Sequence, residues 1–324
     1  MTAGRGAPFP FFVGCGRSGT TLLRAMFNAH PEMAVPDEVA FIIRYSRPHR
    51  AVEYGWPRRF DAGRCADLIV ADSSFRRWAL TEPEARDALR DPPPASFPAA
   101  IRRLYGRVAA LEGKSRYGDK TPMHVLHLHR LGRLFPEARF VHIVRDGRDV
   151  ASSYATTAWG PQSVEESAVR WRRSVRRGLH DGRRLGPGRY REVRYEALVA
   201  EPESELRTLC RFLELDWDDA MLRYPEKAAE VITATRFPDA HQRLLPPPTP
   251  GLRDWRRDMA RQDVVRFEAI AGSVLDELGY GTTDRLALGR RVAASRYVVA
   301  DRATRAWAQG VAGGRAVARG LAGR

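Results

Sequence analysis

Lysine is nearly missing from this chain: among 54 basic residues only Lys114, Lys120 and Lys227 are lysines. Such an arginine bias follows genome composition, and it makes any lysine worth inspecting. Cysteine is scarce as well. Cys15, Cys65 and Cys210 are too few and too scattered for a disulfide framework or a four-ligand zinc site, and they suit a reducing compartment. Long apolar runs are absent. Stretches such as Phe9 to Val13 fall far short of the roughly 20 residues that span a bilayer, and the N-terminus shows no signal-peptide core, so the expectation is a cytoplasmic protein. There is no internal repeat. With 324 residues, 44% hydrophobic and 29% charged, the composition excludes wholesale disorder and collagen-like or low-complexity architecture.

What is present begins with positive charge. The formal net charge is +15, and from Arg285 to Arg324 nine arginines face the single acid Asp301. The rest of the chain is therefore only moderately basic. A basic balance favours anionic ligands without choosing among nucleotide, nucleic acid, acidic peptide and anionic lipid.

Along the chain, Pro8 to Val13 is a short apolar run ended by glycine, the pattern of a buried strand entering a turn. Thr20 to His30 follows with apolar residues at helical spacing and Pro31 as a stop. A second unit of this kind starts at Arg139 to Val144, passes through Arg145-Asp146-Gly147-Arg148 and continues as a helix from about Asp149. Tyr190 to Tyr195 reads as a further strand. Helices are expected over Val39 to Tyr45, Arg64 to Leu80, Glu82 to Leu89, Ile101 to Leu111, Met123 to Leu134, Pro202 to Leu213 and Asp263 to Leu278. Alternation of strand and helix predicts an α/β fold with a central parallel sheet covered by helices on both faces. The expected division is a domain over 1–280, with a helical insertion at 46–115 for acceptor recognition, and a basic amphipathic tail over 281–324. In that tail Leu288, Val292, Val299 and Trp307 fall on one side of a helix and Arg290, Arg296 and Arg302 outside it, which fits either peripheral membrane contact or packing on the body.

The loop Gly14-Cys15-Gly16-Arg17-Ser18-Gly19-Thr20-Thr21 lies where a strand ends and a helix begins. Unpaired backbone N–H groups and the positive end of the helix dipole converge at such a place and make an oxyanion cradle. Gly16 and Gly19 let the backbone wrap a tetrahedral anion, while Arg17 and the hydroxyls of Ser18, Thr20 and Thr21 offer further donors. Gly14 and Gly19 match the glycine spacing of a Walker A loop, but Thr20 stands where that loop needs lysine. A kinase or NTPase is therefore the runner-up reading, followed by a noncatalytic nucleotide-binding or nucleic-acid-binding module.

Residues 10 to 38, centred on R-S-G-T-T-L-L-R-A-M-F-N-A-H-P, resemble the 5′-phosphosulfate loop of sulfotransferases that use 3′-phosphoadenosine 5′-phosphosulfate (PAPS). The similarity is greatest to the tyrosylprotein branch. The segment from Leu134 to Ser153, with F-V-H-I-V-R-D-G-R-D-V-A-S-S, resembles the 3′-phosphate motif of the same family. The resemblance implies a P-loop-like three-layer fold and sulfuryl transfer from PAPS, as co-substrate and without a metal, to a hydroxyl acceptor. It assigns Arg145 and Ser153 to the 3′-phosphate, Lys120 to the transferring group and, through the acidic pair Asp37-Glu38, the role of general base to Glu38. Arg17, in the loop, joins them as a catalytic candidate.

Sulfuryl transfer is an in-line displacement that needs a base for the acceptor and cations where charge builds. Each assignment has a plainer competitor. Arg145 is equally a structural arginine paired with Asp146 or Asp149, Lys120 a loop lysine, and Asp37 or Glu38 an N-cap for the next helix. His30 and His142 compete with Glu38 as the base but look structural. His124 and His127 share a helical face while His129 points away, so no metal site is expected. Two positions that the resemblance associates with a disulfide are Val35 and Gly118. The acceptor stays open among carbohydrate, lipid, peptide tyrosine and polyketide or glycopeptide hydroxyls.

Overall fold

The computed structural model of the chain describes residues 7–55, 59–226 and 254–283, together with positions 297 and 299. The expected tail helix otherwise lies outside the described residues. The chain packs as two compact units, one drawn from Met1–Arg145 and Arg177–Leu252 and the other from Asp146–Arg176 and Arg253–Arg324.

The first unit is built on a parallel sheet. Strand β1 (Phe9–Gly14) is followed by α1 (Thr20–Ala29), β2 (Met33–Ala34), α2 (Phe41–Tyr45), α3 (Pro48–Ala51), α4 (Ala62–Val70), α5 (Glu82–Ala88) and α6 (Phe97–Leu111). Strands β3 (Arg116–Tyr117) and β4 (Asp119–Lys120), a 3-10 turn over Pro122–His127, α7 (Leu128–Leu134) and β5 (Ala138–Val144) come next. The chain order then runs through α8 (Gly147–Tyr154) and α9 (Val164–Leu185), which contains the boundary between the units, to β6 (Tyr190–Arg194), α10 (Tyr195–Ala200) and α11 (Pro202–Leu213). The main sheet has the order β4-β1-β5-β6 with every neighbour parallel. β1 is paired on both sides, Phe12 with Lys120 of β4 and Gly14 with Ile143 of β5.

Alternation along the strands divides the core in two. Phe9, Phe11 and Val13 of β1 and Phe140 of β5 join one cluster with residues of α2, α4, α6 and α7. Phe12, Val141 and Ile143 join the other with residues of α1, α10 and α11. A sheet whose two faces feed separate apolar clusters is buried on both sides, which is why β1 and β5 read as continuous apolar runs.

Local chemistry sets the helix limits. Thr81 and Glu84 form a reciprocal capping box that starts α5, and the Asp61 and Ser96 side chains accept from the first turns of α4 and α6, relieving backbone donors that have no intrahelical partner. The expected helix Arg64 to Leu80 stops at Val70 because the Asp72 carboxylate accepts both the N–H and the hydroxyl of Ser74, pulling the chain into a turn. The expected Met123 to Leu134 helix is a 3-10 turn that passes into α7. The expected Val39 to Tyr45 helix begins only at Phe41.

The strand pair β2–β3 was not anticipated. Met33 pairs with Arg116 and Ala34 with Tyr117, and the N–H groups of Arg116 and Gly118 donate to the carbonyls of Glu32 and Ala34, both at 2.8 Å. This ladder ties together the segments containing Val35 and Gly118, neither of which carries a thiol, so backbone hydrogen bonds and not a disulfide join them.

In the second unit, α8, the first part of α9, α12 (Trp255–Asp258) and α13 (Arg261–Glu277) pack together. At its centre the Arg148 side chain is 1% exposed. It donates to both oxygens of Asp146 at 3.0 and 2.8 Å and to Glu268 at 2.7 Å, with its guanidinium 3.7 Å from the centre of the Trp255 ring. A buried guanidinium satisfied by two carboxylates and an aromatic face is a structural clasp, since removing any partner leaves uncompensated charge behind.

Candidate functional site

The carboxyl ends of β4, β1 and β5 lie side by side. From β1 the chain goes to β4 on one side and later returns to β5 on the other, which makes this end of the sheet a topological switch point, the usual place for a ligand in an open α/β fold. Lys120 ends β4, the glycine loop follows β1 and Arg145 follows β5.

The glycine loop is short and held tightly. The Ser18 N–H donates to the Cys15 carbonyl at 3.1 Å, Arg17 has φ 70° and Gly19 φ 99°. Gly19 is required for a second reason: a Cβ there would fall 2.4 Å from the Tyr195 ring. No side chain caps α1, so the donors of its first turn stay available. Ser18 is 1% exposed, and its Oγ is buried without a hydrogen-bond partner. A buried hydroxyl left unpaired costs about 1–3 kcal/mol, a cost that an oxyanion held by the loop removes. Thr20 and Thr21 are also buried, and Gly16, Arg17 and Gly19 are partly exposed.

Lys120 and Glu38 meet. Lys120 Nζ lies 2.7 Å from Glu38 Oε1 and 4.0 Å from Asp37 Oδ1, with the lysine side chain 1% exposed and that of Glu38 48% exposed. The two acids of the pair have separated tasks. Asp37 is buried and accepts from Arg24 Nη1 at 3.2 Å, while Arg24 Nε donates to the Val35 carbonyl at 2.9 Å. Burial pushes the Arg24 guanidinium below its ordinary value against the opposing pull of Asp37 and Glu38. Glu38 keeps an exposed face. The expectation that Asp37 or Glu38 caps the following helix is not met: the N-cap of α2 is Ala40, without a side-chain bond. Arg24 escaped the sequence reading because a lone arginine within an apolar helix gives no sign of its distant partner.

Arg145 lies at the end of β5 with its guanidinium 4.2 Å from the centre of the Tyr195 ring. In the second unit, Asp146 is engaged by Arg148, and Asp149 accepts the Trp255 N–H at 2.8 Å. Ser153 is buried on α8, next to that helix's last residue, Tyr154.

His30, His142 and His124 are buried within the fold. His30 uses both ring nitrogens, one 2.9 Å from the Asp216 carbonyl and the other accepting the Glu32 N–H. His142 is wholly buried, its Nδ1 lies 2.7 Å from the Tyr190 hydroxyl, and burial, helped by Arg194, lowers its pKa to about 3. His124 is buried against Asp119 at 2.8 Å. Among the described residues no group of three or more His, Cys, Asp or Glu side chains is arranged to hold a metal ion, and no helix is long and apolar enough to cross a membrane.

His142 generates a stability prediction with a definite sign. Its folded pKa lies below the unfolded value of roughly 6.5, so between the two the unfolded chain takes a proton that the folded one refuses. This contribution is complete above about pH 6.5 and is lost as pH falls toward about 3. Urea midpoints at pH 7 and 4.5 should differ less in His142→Asn than in the wild type. An equal difference would show that His142 is not held neutral.

Comparison with known proteins adds to this geometry. The model of the Sulfotransferase family matches residues 8–219. Protein-tyrosine sulfotransferase 1 of Danio rerio is 28% identical over 281 residues, covering 84% of this chain and 72% of its own. Protein-tyrosine sulfotransferase A of Caenorhabditis elegans is 25% identical over 285 residues, covering 85% and 68%. Among solved structures, the sulfotransferase domain of the Synechococcus PCC 7002 olefin synthase is similar with a TM-score of 0.51 and 25% identity, covering 82% of this chain and 94% of that one. The sulfotransferase domain of the curacin biosynthetic pathway is similar in fold, with a TM-score of 0.59, 18% identity and coverage of 86% and 100%.

Proposed function

The chain belongs to the sulfotransferase family, an enzyme that moves a sulfuryl group from PAPS to a hydroxyl acceptor, and we propose that Glu38 is its general base. The observation that carries this reading is the 2.7 Å contact between Lys120 Nζ and Glu38 Oε1, at the end of a strand paired with β1. The base must reach the acceptor proton and the cation must reach the charge developing on the sulfuryl oxygens, so both belong beside the same reacting centre. Asp37 is withdrawn from this work by Arg24, and the half-exposed Glu38 is the member of the pair that an incoming hydroxyl can reach. Neither His30, with both nitrogens occupied, nor the neutral, buried His142 offers an alternative.

The donor is assigned to the switch point on the same terms. The glycine loop, with Gly16, Ser18, Gly19, Thr20 and Thr21 and the cation Arg17, would hold the 5′ end, and the unpaired Ser18 Oγ supports this use. Arg145, which follows β5, would hold the 3′-phosphate, and Ser153, on α8, is the other residue that the resemblance assigns to that group. PAPS supplies an activated sulfuryl group with a good leaving group. Arg17 and Lys120 provide positive charge for the oxygens around the reacting sulfur, and Glu38 takes the acceptor proton.

For the acceptor we propose a hydroxyl, with a tyrosine phenol as the first to test, since the relatives are named for protein tyrosine. A panel of tyrosyl peptide, simple phenol, sugar and alkyl alcohol, assayed with 35S-labelled PAPS, identifies the preferred class.

Glu38→Gln should lower turnover by about two to four decades, the range of general acid–base catalysis, while affinity for adenosine 3′,5′-bisphosphate stays near the wild-type value. Turnover within a few-fold of the wild type would remove Glu38 from the mechanism.

Calorimetry tests the donor site separately. A charge-assisted hydrogen bond contributes about 1.5–3 kcal/mol, or roughly one to two decades, so the bisphosphate should bind at least tenfold more tightly than AMP and Arg145→Ala should narrow the gap. Equal affinities in the wild type would overturn the 3′-phosphate assignment.

A further inference from the structure

Asp119 has no part in the reaction as described, yet it is wholly buried next to Lys120. Its Oδ2 accepts from the Tyr105 hydroxyl at 2.7 Å and the Thr121 hydroxyl at 3.1 Å, and its Oδ1 lies 2.8 Å from His124 Nδ1. Burial, reinforced by Asp119, pushes the Tyr105 phenol far above its ordinary value, so that group remains a donor. The Thr121 hydroxyl, having given its one proton to Asp119, accepts the Val39 N–H at 3.2 Å.

The register of these bonds is the informative part. Lys120 stands in sequence between Asp119 and Thr121, and Glu38 immediately precedes Val39. One hydroxyl therefore joins the segment of the lysine to the segment of the base, with Lys120 and Glu38 set opposite each other across that joint. The ion pair does not by itself fix its geometry, because the Lys120 ammonium is enclosed but the Glu38 side chain is half exposed and can turn toward water. The anchored backbone does. We propose that Asp119 and Thr121 are positioning residues that set the Lys120–Glu38 separation: the buried carboxylate orients the Thr121 hydroxyl so that its lone pair holds the Val39 N–H. The proposal rests on Glu38 as the base.

Thr121→Val keeps the shape and removes the hydroxyl, whereas Thr121→Ser keeps the hydroxyl. Turnover and acceptor KM are measured with 35S-labelled PAPS and the best acceptor of the panel, and bisphosphate affinity by calorimetry. The set comprises the wild type, both Thr121 variants, Glu38→Gln and the double variant Thr121→Val/Glu38→Gln.

Misplacing a reacting group by about 1 Å costs on the order of a hundredfold, so Thr121→Val should lose about 10- to 100-fold in kcat with bisphosphate affinity within about twofold. Thr121→Ser should recover to within about threefold of the wild type. In the Glu38→Gln background Thr121→Val should change kcat by less than about twofold, because residues that act through one another are not additive. Asp119→Asn should show the same kcat-selective loss and serves if Thr121→Val fails to fold.

A Thr121→Val turnover near the wild-type value, or a serine variant as impaired as the valine one, overturns the proposal. A Glu38→Gln enzyme slowed but still measurable, in whose background Thr121→Val costs the same factor as it does in the wild type, overturns the positioning role alone. Wild-type turnover in Glu38→Gln overturns the base reading and this proposal with it.

Discussion

A lysine ammonium taken out of water needs an opposite charge or an acceptor within hydrogen-bond reach, because desolvation disfavours its charged form. Lys120, with a side chain 1% exposed, meets that constraint through Glu38, and the surrounding structure serves the pair. β4 places the lysine beside β1, the β2–β3 ladder holds the acidic segment close to it, and Arg24 takes up Asp37, which stays 4.0 Å from the ammonium while Glu38 approaches to 2.7 Å. The arrangement is asymmetric in exposure. The cation is enclosed and the anion opens outward, which leaves the carboxylate reachable by an acceptor without opening the core.

The same economy of contacts appears at the glycine loop. Gly19 adopts a positive φ where a side chain would strike Tyr195, and that ring also carries the Arg145 guanidinium on its face. One tyrosine at the start of α10 thus packs against both the loop after β1 and the arginine after β5. The two places where an anion is expected to bind are joined through an aromatic side chain, and the Tyr195 ring contributes packing and a cation–π contact together.

Much of this was legible in the sequence, and the reasons differ by element. β1, β5 and β6 announce themselves as short runs bounded by turn residues, and α11 begins at Pro202 as its first-turn proline predicts. Arg17 was named from the chemistry of the glycine loop, and Glu38, Lys120 and Arg145 from the family resemblance; the structure brings Glu38 and Lys120 together. The two-residue strands β2, β3 and β4 were not legible, since two residues carry no period and only tertiary pairing makes them strands. Arg24, Asp119 and Thr121 were missed for a related reason: each acts through a partner distant in sequence or through a hydrogen bond whose value depends on burial. The supposed cap at Asp37 or Glu38 shows the converse error, in which a local rule was outweighed by the buried arginine and lysine that claimed both acids.

The measurement that bears most directly on the account is a double-mutant cycle on single-turnover sulfuryl transfer, comparing Lys120→Met, Glu38→Gln and the double variant under saturating 35S-labelled PAPS. If the pair works as one unit at the reacting centre, either single change should cost nearly as much as both together, as occurs when catalytic groups depend on each other. Losses that multiply independently would contradict it, since the lysine and the carboxylate would then act on the reaction separately and their 2.7 Å contact would have no part in catalysis.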